Sequence, residues 1–547
     1  MKKYYFLIPI FFFSFLIFVS YNQEEKLLVD TKLEYSDEFE KYFRDITYNE
    51  TGSNYYPGYK QVELDKMLAR LSGPTLSASS DQDNPNFGSS IAATATFTER
   101  GPGNVSGRTR GLIVDAADAS GKTFYAASPG GGIWKGIHSG AGATEKVSWT
   151  NLTSGLPNIN FNSLAQSQSN TDVIYAGSGE NHIGGSGGWG DGIFKSTDGG
   201  SSWTNVSKKS GGKVISNFGT VHRIIVDPTN PDIVVITTGH NYYCNTYIYK
   251  TSNGGTSWTK VHDYNSCHTY TQIVAAPSDF NTQYAVSKGK PLLKSTDAGD
   301  TWTQMTEFAG RSGDYARYEI AVSHTDKNKL YAGIKGDNAS YLYRTLDGGT
   351  SWTHIQENGT SGDPRYSTDF WLDSQGWYDN CITVSPLNDD IVYVGGIDLF
   401  KFTVLADNTK NSIHLTDVYE DVASDGITKK NGYVHPDQHT MTTVSDGGGK
   451  FRLIVGNDGG LAISNSSSDP GVNEGDWIAT KYKWAFINVP YLPTDVGYRS
   501  TQFYGADKVV GRKQYLGGTQ DNGSYLSQRY GIYQQRYFLI SLWINRT

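Results

Sequence analysis

The octapeptide Ser196-Thr-Asp-Gly-Gly-Ser-Ser-Trp203 is the most informative stretch of the chain, because close copies of it recur. We call this octapeptide the box. Trp149 and Trp477 each end a degenerate copy of it, and the consecutive box tryptophans from Trp149 to Trp352 are 44 to 55 residues apart. This period is typical of one four-stranded propeller blade. The other clear copies are Thr251-Ser-Asn-Gly-Gly-Thr-Ser-Trp258, Ser295-Thr-Asp-Ala-Gly-Asp-Thr-Trp302 and Thr345-Leu-Asp-Gly-Gly-Thr-Ser-Trp352.

Each residue type in the box has a physical role. The glycines supply the positive φ that a tight turn requires. The carboxylate or amide accepts hydrogen bonds from the backbone N–H groups of the turn. The indole is a large apolar body that packs between adjacent sheets. The structural box residues are Asp198 and Trp203, Asn253 and Trp258, Asp297 and Trp302, and Asp347 and Trp352.

The boxes divide the chain into repeating strand–turn units. Blades are expected to begin near residues 112, 162, 221, 271, 318, 382 and 441, with a further strand set near Thr501. The sequence therefore predicts an all-β propeller of seven or more four-stranded blades, preceded by a short, partly helical leader. The predicted divisions are a signal peptide (1–22), a leader and linker (23–95), the propeller (96–530) and an atypical tail (531–547), where we expect the chain to be truncated.

The first residues predict export. Lys2-Lys3 precedes the apolar run Tyr4 to Val19, whose 16 residues fall short of the roughly 20 that span a bilayer. We therefore expect a cleaved signal peptide, no membrane span after cleavage, and a secreted or cell-surface protein. The formal net charge of −8 and the lack of a Lys/Arg block argue against nucleic acid as a partner. The sequence is compatible with a disulfide between Cys244 and Cys267 and equally with two separate buried thiols.

The boxes resemble those of the Asp-box, or BNR-repeat, superfamily, which includes sialidases, xyloglucan-hydrolysing enzymes and sortilin-type receptors. Other stretches are similar to exported bacterial propellers described as glycosyl-hydrolase-like or sortilin-like. The resemblance covers about residues 97–528 and implies the fold more specifically than the activity. The stretches that carry it are residues 101–110, 130–135, 456–460 and 518–523.

The same resemblance allows the sequence to be compared with the catalytic motifs of two groups of enzymes. Sialidases hold a substrate carboxylate with an arginine cluster, for which Arg108 and Arg110 are the candidates, but the Phe/Tyr-Arg-Ile-Pro motif is absent. Xyloglucanases carry Tyr-Ala-Arg-Thr-Asp-x-Gly-Gly in the first blade, and its Asp is catalytic. The matching stretch here begins at Tyr125 and has Pro129 at the Asp position. Proline cannot transfer a proton, so a hydrolase of this kind would need other carboxylates.

The segment His435-Pro-Asp437-Gln-His439 is a candidate metal site. On a strand its two histidines and its aspartate would share one face, which suits a divalent cation, with Asp458 and Asp521 as further oxygen ligands. The competing interpretation is a hydrogen-bonded polar lining of the propeller channel, with no cofactor required. Pro436 also argues against a regular strand.

Aromatic residues outside the boxes are candidate ligand platforms, and nearby aspartates are candidate acids. Flat aromatic faces beside carboxylates suit carbohydrate binding, whereas packing between blades is the alternative. The aromatics are Trp189, Trp371, Trp377 and Tyr378, and the aspartates are Asp191, Asp369 and Asp373.

The favoured function from sequence is an exported binding or scaffold propeller that recognises glycan or peptide. The first alternative is a glycoside hydrolase of xyloglucanase or sialidase type. The second is a sortilin-type peptide receptor.

Overall fold

The computed structural model describes residues 106–534, with gaps of which the longest are 358–370, 417–433 and 480–497. Every element in this part is a β-strand, and it contains no helix long and apolar enough to cross a membrane. The predicted signal peptide, leader and linker lie outside the described residues, as do Cys244 and Cys267.

The strands form eight sheets in chain order, and we call the first seven of them blades 1 to 7. Blades 1 and 2 contain β1 (Gly111–Val114), β2 (Thr123–Ser128), β3 (Gly132–His138), β4 (Val147–Asn151), β5 (Phe161–Gln166), β6 (Ile174–Ser178), β7 (Ile193–Ser196) and β8 (Thr204–Asn205). Blades 3 and 4 contain β9 (Val221–Asp227), β10 (Asn230–Thr238), β11 (Tyr247–Thr251), β12 (Thr259–Asp263), β13 (Tyr270–Ala276), β14 (Asp279–Ser287), β15 (Leu293–Ser295) and β16 (Thr303–Gln304).

Blade 5 contains β17 (Tyr318–Val322), β18 (Leu330–Lys335), β19 (Ser340–Thr345) and β20 (Thr353–His354). Next come β21 (Gln356–Glu357), β22 (Cys381–Val384), β23 (Ile391–Gly395), β24 (Leu399–Val404) and β25 (Thr409–His414). Blade 6 is the antiparallel meander β22 to β25, and β21 adds a parallel edge strand to it. Blade 7 and the eighth sheet contain β26 (Gln438–Gly447), β27 (Lys450–Asn457), β28 (Gly460–Ser464), β29 (Trp477–Ala479), β30 (Phe503–Lys508), β31 (Tyr515–Thr519), β32 (Ser524–Gln528) and β33 (Gly531–Gln534).

The first strands of the seven blades form a closed ring. Each contacts the first strand of the next blade, and β26 of blade 7 contacts β1 of blade 1. The described residues therefore form a seven-bladed propeller whose blades begin within a few residues of the positions predicted from sequence. Four strands per blade, joined by short turns, confirm the predicted fold class.

One hydrophobic cluster lies at each of the seven blade interfaces. Successive residues of a strand face the two different neighbouring blades, because side chains alternate across a pleated strand. In β2, Phe124 and Ala126 pack toward blade 7, whereas Tyr125 and Ala127 pack toward blade 2. Both faces of the inner strands are thus buried, which explains their nearly continuous apolar sequence.

The antiparallel meander gives the ring two chemically different faces. The start of a first strand and the turn between the second and third strands lie at the same end of a blade. We call this end the upper face. The turn between the third and fourth strands lies at the opposite end, and the sequence boxes occupy it. The boxes therefore lie at the opposite end of the ring from the upper face.

The boxes have the hydrogen bonds expected from their sequence. Asp347 accepts from the Ser351 backbone N–H at 2.8 Å and from the Ser351 hydroxyl at 2.6 Å. Gly348 and Gly349 have φ of 68° and 90°. In the second copy, Asn253 accepts from the Ser257 N–H at 2.9 Å and donates to its hydroxyl at 2.8 Å. An amide can therefore replace the carboxylate.

The box indoles join consecutive blades. The Trp203 Nε1 donates to the carbonyl of Leu152 at 3.2 Å, and the Trp258 Nε1 donates to that of Val206 at 3.0 Å. Both acceptors follow the last strand of the preceding blade. Trp203, Trp258, Trp302 and Trp352 each belong to an interface cluster.

The eighth sheet extends beyond the predicted end of the propeller. Its last strand, β33, pairs with β32 and takes four residues from the segment that the sequence predicted to be an atypical tail. Ile532 and Tyr533 supply the β propensity for this strand.

Removing the box carboxylate should destabilise the fold more than exchanging it for an amide. Asp347→Ala should lower the free energy of unfolding by about 1 kcal/mol, because it removes an acceptor for the turn. Asp347→Asn should cost much less, since Asn253 already fills this role. Urea unfolding of the two variants checks this, and equal losses would contradict it.

Candidate functional site

A cluster of buried charges lies on the upper face. Arg108 and Arg110 precede β1, Glu180 follows β6, Tyr378 precedes β22, and Asp458 lies between β27 and β28. All five residues are buried. Four blades contribute to the cluster, so only closure of the ring brings these residues together.

Arg108 is the centre of the cluster. Its Nη1 lies 3.0 and 2.9 Å from the two carboxylate oxygens of Glu180, and its Nε lies 3.1 Å from Asp458. Arg110 also donates to Glu180. Arg108 therefore connects blade 2 with blade 7 across the start of blade 1. Buried ions have to be paired, because each loses its hydration on folding.

Backbone contacts reinforce the same seam. The N–H of Thr109 donates to the carbonyl of Asn457 at 3.0 Å. The hydroxyl of Ser106 donates to the carbonyl of Gly459. Gly459 has no room for a side chain, since a Cβ there would lie 2.4 Å from the His435 ring. This accounts for one glycine of the segment Asn457-Asp-Gly-Gly460 that the sequence singled out.

Asp458 accepts three further hydrogen bonds. The Tyr378 hydroxyl donates to its two oxygens at 2.8 and 2.6 Å, and the His439 Nε2 lies 2.7 Å from Oδ1. Burial opposes ionisation, but His439, Arg108 and Tyr378 together hold the pKa of Asp458 well below its usual range. Asp458 is therefore a fixed negative charge.

His439 is neutral in this environment. Burial and the positive charge of Arg110 lower its pKa to about 3. A neutral imidazole that donates from Nε2 to Asp458 has an unprotonated Nδ1. This Nδ1 is buried and has no hydrogen-bond partner among the described residues.

A second pair of carboxyl groups adjoins the cluster. Asp379 is fully buried, and burial together with the charge of Asp437 raises its pKa well above the usual value. Burial and the charge of Asp458 raise the pKa of Asp437 to about 6. Asp437 is partly exposed. Burial thus favours the protonated form of both carboxyl groups, and Asp437 is the one of the two that is partly exposed.

The backbone places Asp437 in a strained conformation. Its φ is 66°, which is uncommon for a residue with a side chain. Its N–H donates to the carbonyl of Ile397 at 3.2 Å, and the N–H of Gln438 donates to that of Gly396 at 2.7 Å. Strain of this kind persists only where surrounding contacts enforce it, and it often occurs at functional sites.

The predicted metal site is not formed as the sequence pattern suggested. β26 begins at Gln438, so His435 and Asp437 precede the strand on which His439 lies. The positive φ of Asp437 breaks the alternation that would have placed all three on one face. No group of three or more His, Cys, Asp or Glu side chains in the described part has the arrangement of a metal site.

The other sequence candidates have different outcomes. Trp371 is 1% exposed and packs between blades 5 and 6, so it is not a ligand platform. Tyr378 is buried and its hydroxyl donates to Asp458, whereas Trp377 is 47% exposed and is available to a ligand.

Asp191 is buried near the start of β7, where the Ser178 hydroxyl accepts from its N–H at 2.8 Å. Trp189, Asp369 and Asp373 lie outside the described residues.

Sequence reasoning missed Glu180 and Asp379. Glu180 follows the second strand of blade 2 and Asp458 follows that of blade 7, while Pro129 follows that of blade 1. An alignment of the repeats on their second strands would have revealed this acidic position. Asp379 gave no such signal, because only the fold brings it to Asp437.

Part of the chain matches known proteins in sequence. The family model described as Sortilin, neurotensin receptor 3 (Sortilin-Vps10) matches residues 246–368. A xyloglucanase from Paenibacillus sp is 26% identical over 274 residues, which are 43% of this chain and 24% of that protein. A xyloglucanase from Hypocrea jecorina (strain QM6a) is 24% identical over 265 residues, which are 45% and 28%.

Solved structures match a larger share of the fold. An ancestral GH74 enzyme superimposes with a TM-score of 0.53 and 18% identity, over 77% of this chain and 53% of that one. The Niastella koreensis GH74 enzyme superimposes with a TM-score of 0.50 and 17% identity, over 78% and 60%. The chain is a β-propeller that resembles glycosyl-hydrolase-like and sortilin-like proteins.

This resemblance does not extend over whole proteins. The propeller matches about a quarter of the length of each curated xyloglucanase and little more than half of each solved GH74 chain. At these identities the solved structures support the fold alone.

The raised pKa of Asp437 predicts a pH-dependent stability. The folded protein binds this proton more tightly than the unfolded chain, so it loses stability as the pH rises from about 4 through 6. Asp437→Asn should remove that loss and be more stable than the parent by about 2 kcal/mol at pH 7, with little gain at pH 4. Urea unfolding at both pH values measures this.

Asp407→Asn is the matched control, because it removes one carboxylate from a turn outside the cluster. It should not reproduce the trend. A stability gain of Asp437→Asn that does not change between pH 4 and 7 would contradict the assignment of Asp437 as the titrating group.

Proposed function

We propose that this propeller is a polysaccharide-active glycoside hydrolase in which Asp437 is the general acid. The observation that carries the proposal is the partly exposed carboxyl group of Asp437, whose pKa burial and the charge of Asp458 raise to about 6. Glycoside hydrolysis needs such a carboxylic acid to protonate the leaving oxygen. The xyloglucanase relatives make a polysaccharide the first substrate to test.

Asp398 is the proposed second carboxylate. It follows Ile397, whose carbonyl accepts from the Asp437 N–H, and its charge contributes to the raised pKa of Asp437. Asp437 would donate its proton to the glycosidic oxygen as the bond from that oxygen to the anomeric carbon breaks. Water would add to the anomeric carbon and give its proton to Asp398, so that the reaction balances.

Two neighbours support these roles. Trp377 is an exposed aromatic surface next to Tyr378, which suits the apolar face of a sugar ring. Asp458 remains negative and contributes to the raised pKa of Asp437. In this proposal Asp458 is a positioning residue, because Arg108, Tyr378 and His439 occupy its oxygens.

Glycan binding without hydrolysis is the second candidate function. Pro129 favours it, because the carboxylate that the xyloglucanase motif supplies at this position is missing. This is the binding or scaffold role that the sequence favoured. The proposed location is outside the cell in either case, after removal of residues 1–22.

The test is reducing-sugar release from xyloglucan and a panel of other polysaccharides by residues 23–547. Asp437→Asn should lower kcat by a factor of roughly 10² to 10⁴, because it removes the general acid. Trp377→Ala should mainly raise KM. Asp407→Asn is the control and should have the activity of the parent.

The pH profile separates catalysis from a structural effect. Activity should fall as the pH rises above about 6, where Asp437 loses its proton. Asp398→Asn should lower the rate and move this alkaline limb to lower pH, because a negative charge next to Asp437 is removed. Full activity of Asp437→Asn would refute the proposed role. Polysaccharide retention without any release would favour the binding function.

A further inference from the structure

The carboxyl groups of Asp379 and Asp437 lie within hydrogen-bonding distance of each other on the upper face. Asp379 precedes β22 of blade 6 and Asp437 precedes β26 of blade 7, so the contact joins two blades. Asp379 is fully buried, whereas Asp437 is partly exposed. One carboxyl group of the pair therefore reaches solvent and the other lies behind it.

Three oxygens of this pair are buried and have no hydrogen-bond partner among the N–H and hydroxyl groups of the described residues. They are both oxygens of Asp379 and the Oδ1 of Asp437. The backbone N–H groups of the two residues do not serve them, because they donate to the carbonyls of Gln375 at 3.1 Å and Ile397 at 3.2 Å. Two adjoining buried carboxylates repel each other, and a proton held by one of them removes the repulsion and supplies the missing donor.

Charged groups of three other segments act on Asp437. Asp458, between β27 and β28, and Asp398, between β23 and β24, oppose its ionisation, whereas Arg108, before β1, favours it. Asp437 also reaches solvent, which hydrates the ionised form. It is therefore the member of the pair that can release its proton near neutral pH.

Asp379 has weaker support for a negative charge. Asp437 and Asp458 oppose its ionisation, and Arg317, before β17, favours it. Arg317 is already engaged, because its Nε and Nη2 donate to Glu319 at 3.1 and 2.9 Å. Burial removes hydration as well, so Asp379 keeps its proton at a pH at which Asp437 has lost one.

We propose that Asp379 is a positioning residue for the general acid, which stays protonated and donates a hydrogen bond to the carboxylate of Asp437. The inference rests on the proposed function and adds to it a group that sets the strength of the acid. The bond favours the ionised form of Asp437, so it stabilises the carboxylate that remains after Asp437 has protonated the leaving oxygen. The proton of Asp379 stays on Asp379 throughout.

Two observations favour a proton over a cation between the two groups. The contact with Asp379 lowers the pKa of Asp437, against the effects of burial and Asp458, as a donated hydrogen bond does. A divalent cation would need both carboxyl groups ionised and further ligands. The described residues offer no third His, Cys, Asp or Glu side chain in the arrangement of a metal site.

The experiment is carbon-13 NMR of residues 23–547 labelled at the aspartate carboxyl carbon, recorded from about pH 4 to pH 9. The two resonances are assigned by their loss in Asp379→Asn and Asp437→Asn. The Asp437 resonance should titrate with a midpoint of about 6. The Asp379 resonance should still be that of a neutral acid at pH 7, where an ordinary aspartate is ionised.

Replacement of Asp379 by leucine removes the donor. Asp379→Leu should move the Asp437 midpoint and the alkaline limb of activity upward by about one pH unit or more, and lower kcat by about tenfold. Asp379→Asn keeps an N–H donor, so its midpoint and pH profile should stay close to those of the parent. A purely structural role would not produce this difference between the two variants.

Asn162→Leu is the matched control, because it also replaces a fully buried polar side chain by leucine, in β5 of blade 2. It should leave the Asp437 midpoint unchanged. Thermal melting identifies any variant that is unfolded. If Asp379→Leu does not fold, the Asp379 resonance of the parent decides the question.

The NMR measurement needs no activity, so it separates this inference from the proposed function. An upward move of the Asp437 midpoint in Asp379→Leu supports the hydrogen bond even if no polysaccharide is hydrolysed. An Asp379 resonance of a carboxylate at pH 7 would refute the inference even if hydrolysis is found, and so would equal midpoints in the parent and folded Asp379→Leu. A melting temperature that rises with calcium in the parent but not in Asp379→Asn would assign a cation to the pair and overturn it.

Discussion

The bridge that Arg108 makes between Glu180 and Asp458 is the interaction on which the geometry of the upper face depends. Among the described residues each blade is built from consecutive strands, so no described strand from the far end of the chain completes a sheet at the seam between blades 7 and 1. The seam is closed by apolar packing and by this buried charge network. Breaking one half of such a pair would leave an uncompensated buried charge, which costs far more than the loss of a surface pair.

The same network sets the electrostatics of the neighbouring carboxyl groups. Arg108 helps to keep Asp458 ionised, and the negative charge of Asp458 contributes to the raised pKa of Asp437. The fixed charge of Asp458 thereby helps to give two neighbouring aspartates, Asp458 and Asp437, different protonation states at the same pH. Such a separation is how one site obtains both an acid and a permanent anion at a single pH.

The two faces of the ring differ in the residues that they carry. The boxes stabilise turns and blade interfaces at the lower end, where their aspartates bind their own backbone. The candidate chemistry lies at the upper end, where loops from several blades meet. This division allows the box sequences to persist while the residues of the upper face change.

The repeat period and the box residues of the sequence were enough to predict the propeller, the blade positions and the role of each Asp and Trp of the boxes. These features are local, since glycine φ angles and turn hydrogen bonds act within a few residues. The sequence also singled out Arg108, His439 and Trp377, because unusual polar or aromatic residues are visible without a structure.

Only the tertiary structure decided what these residues do. It paired Arg108 with Glu180 across 72 positions and with Asp458 across 350. It buried Trp371 while it exposed Trp377, and the left-handed backbone of Asp437 removed the expected metal-binding face. Burial, charge pairing and pKa depend on groups that are distant in sequence and become neighbours only when the seven blades close into a ring.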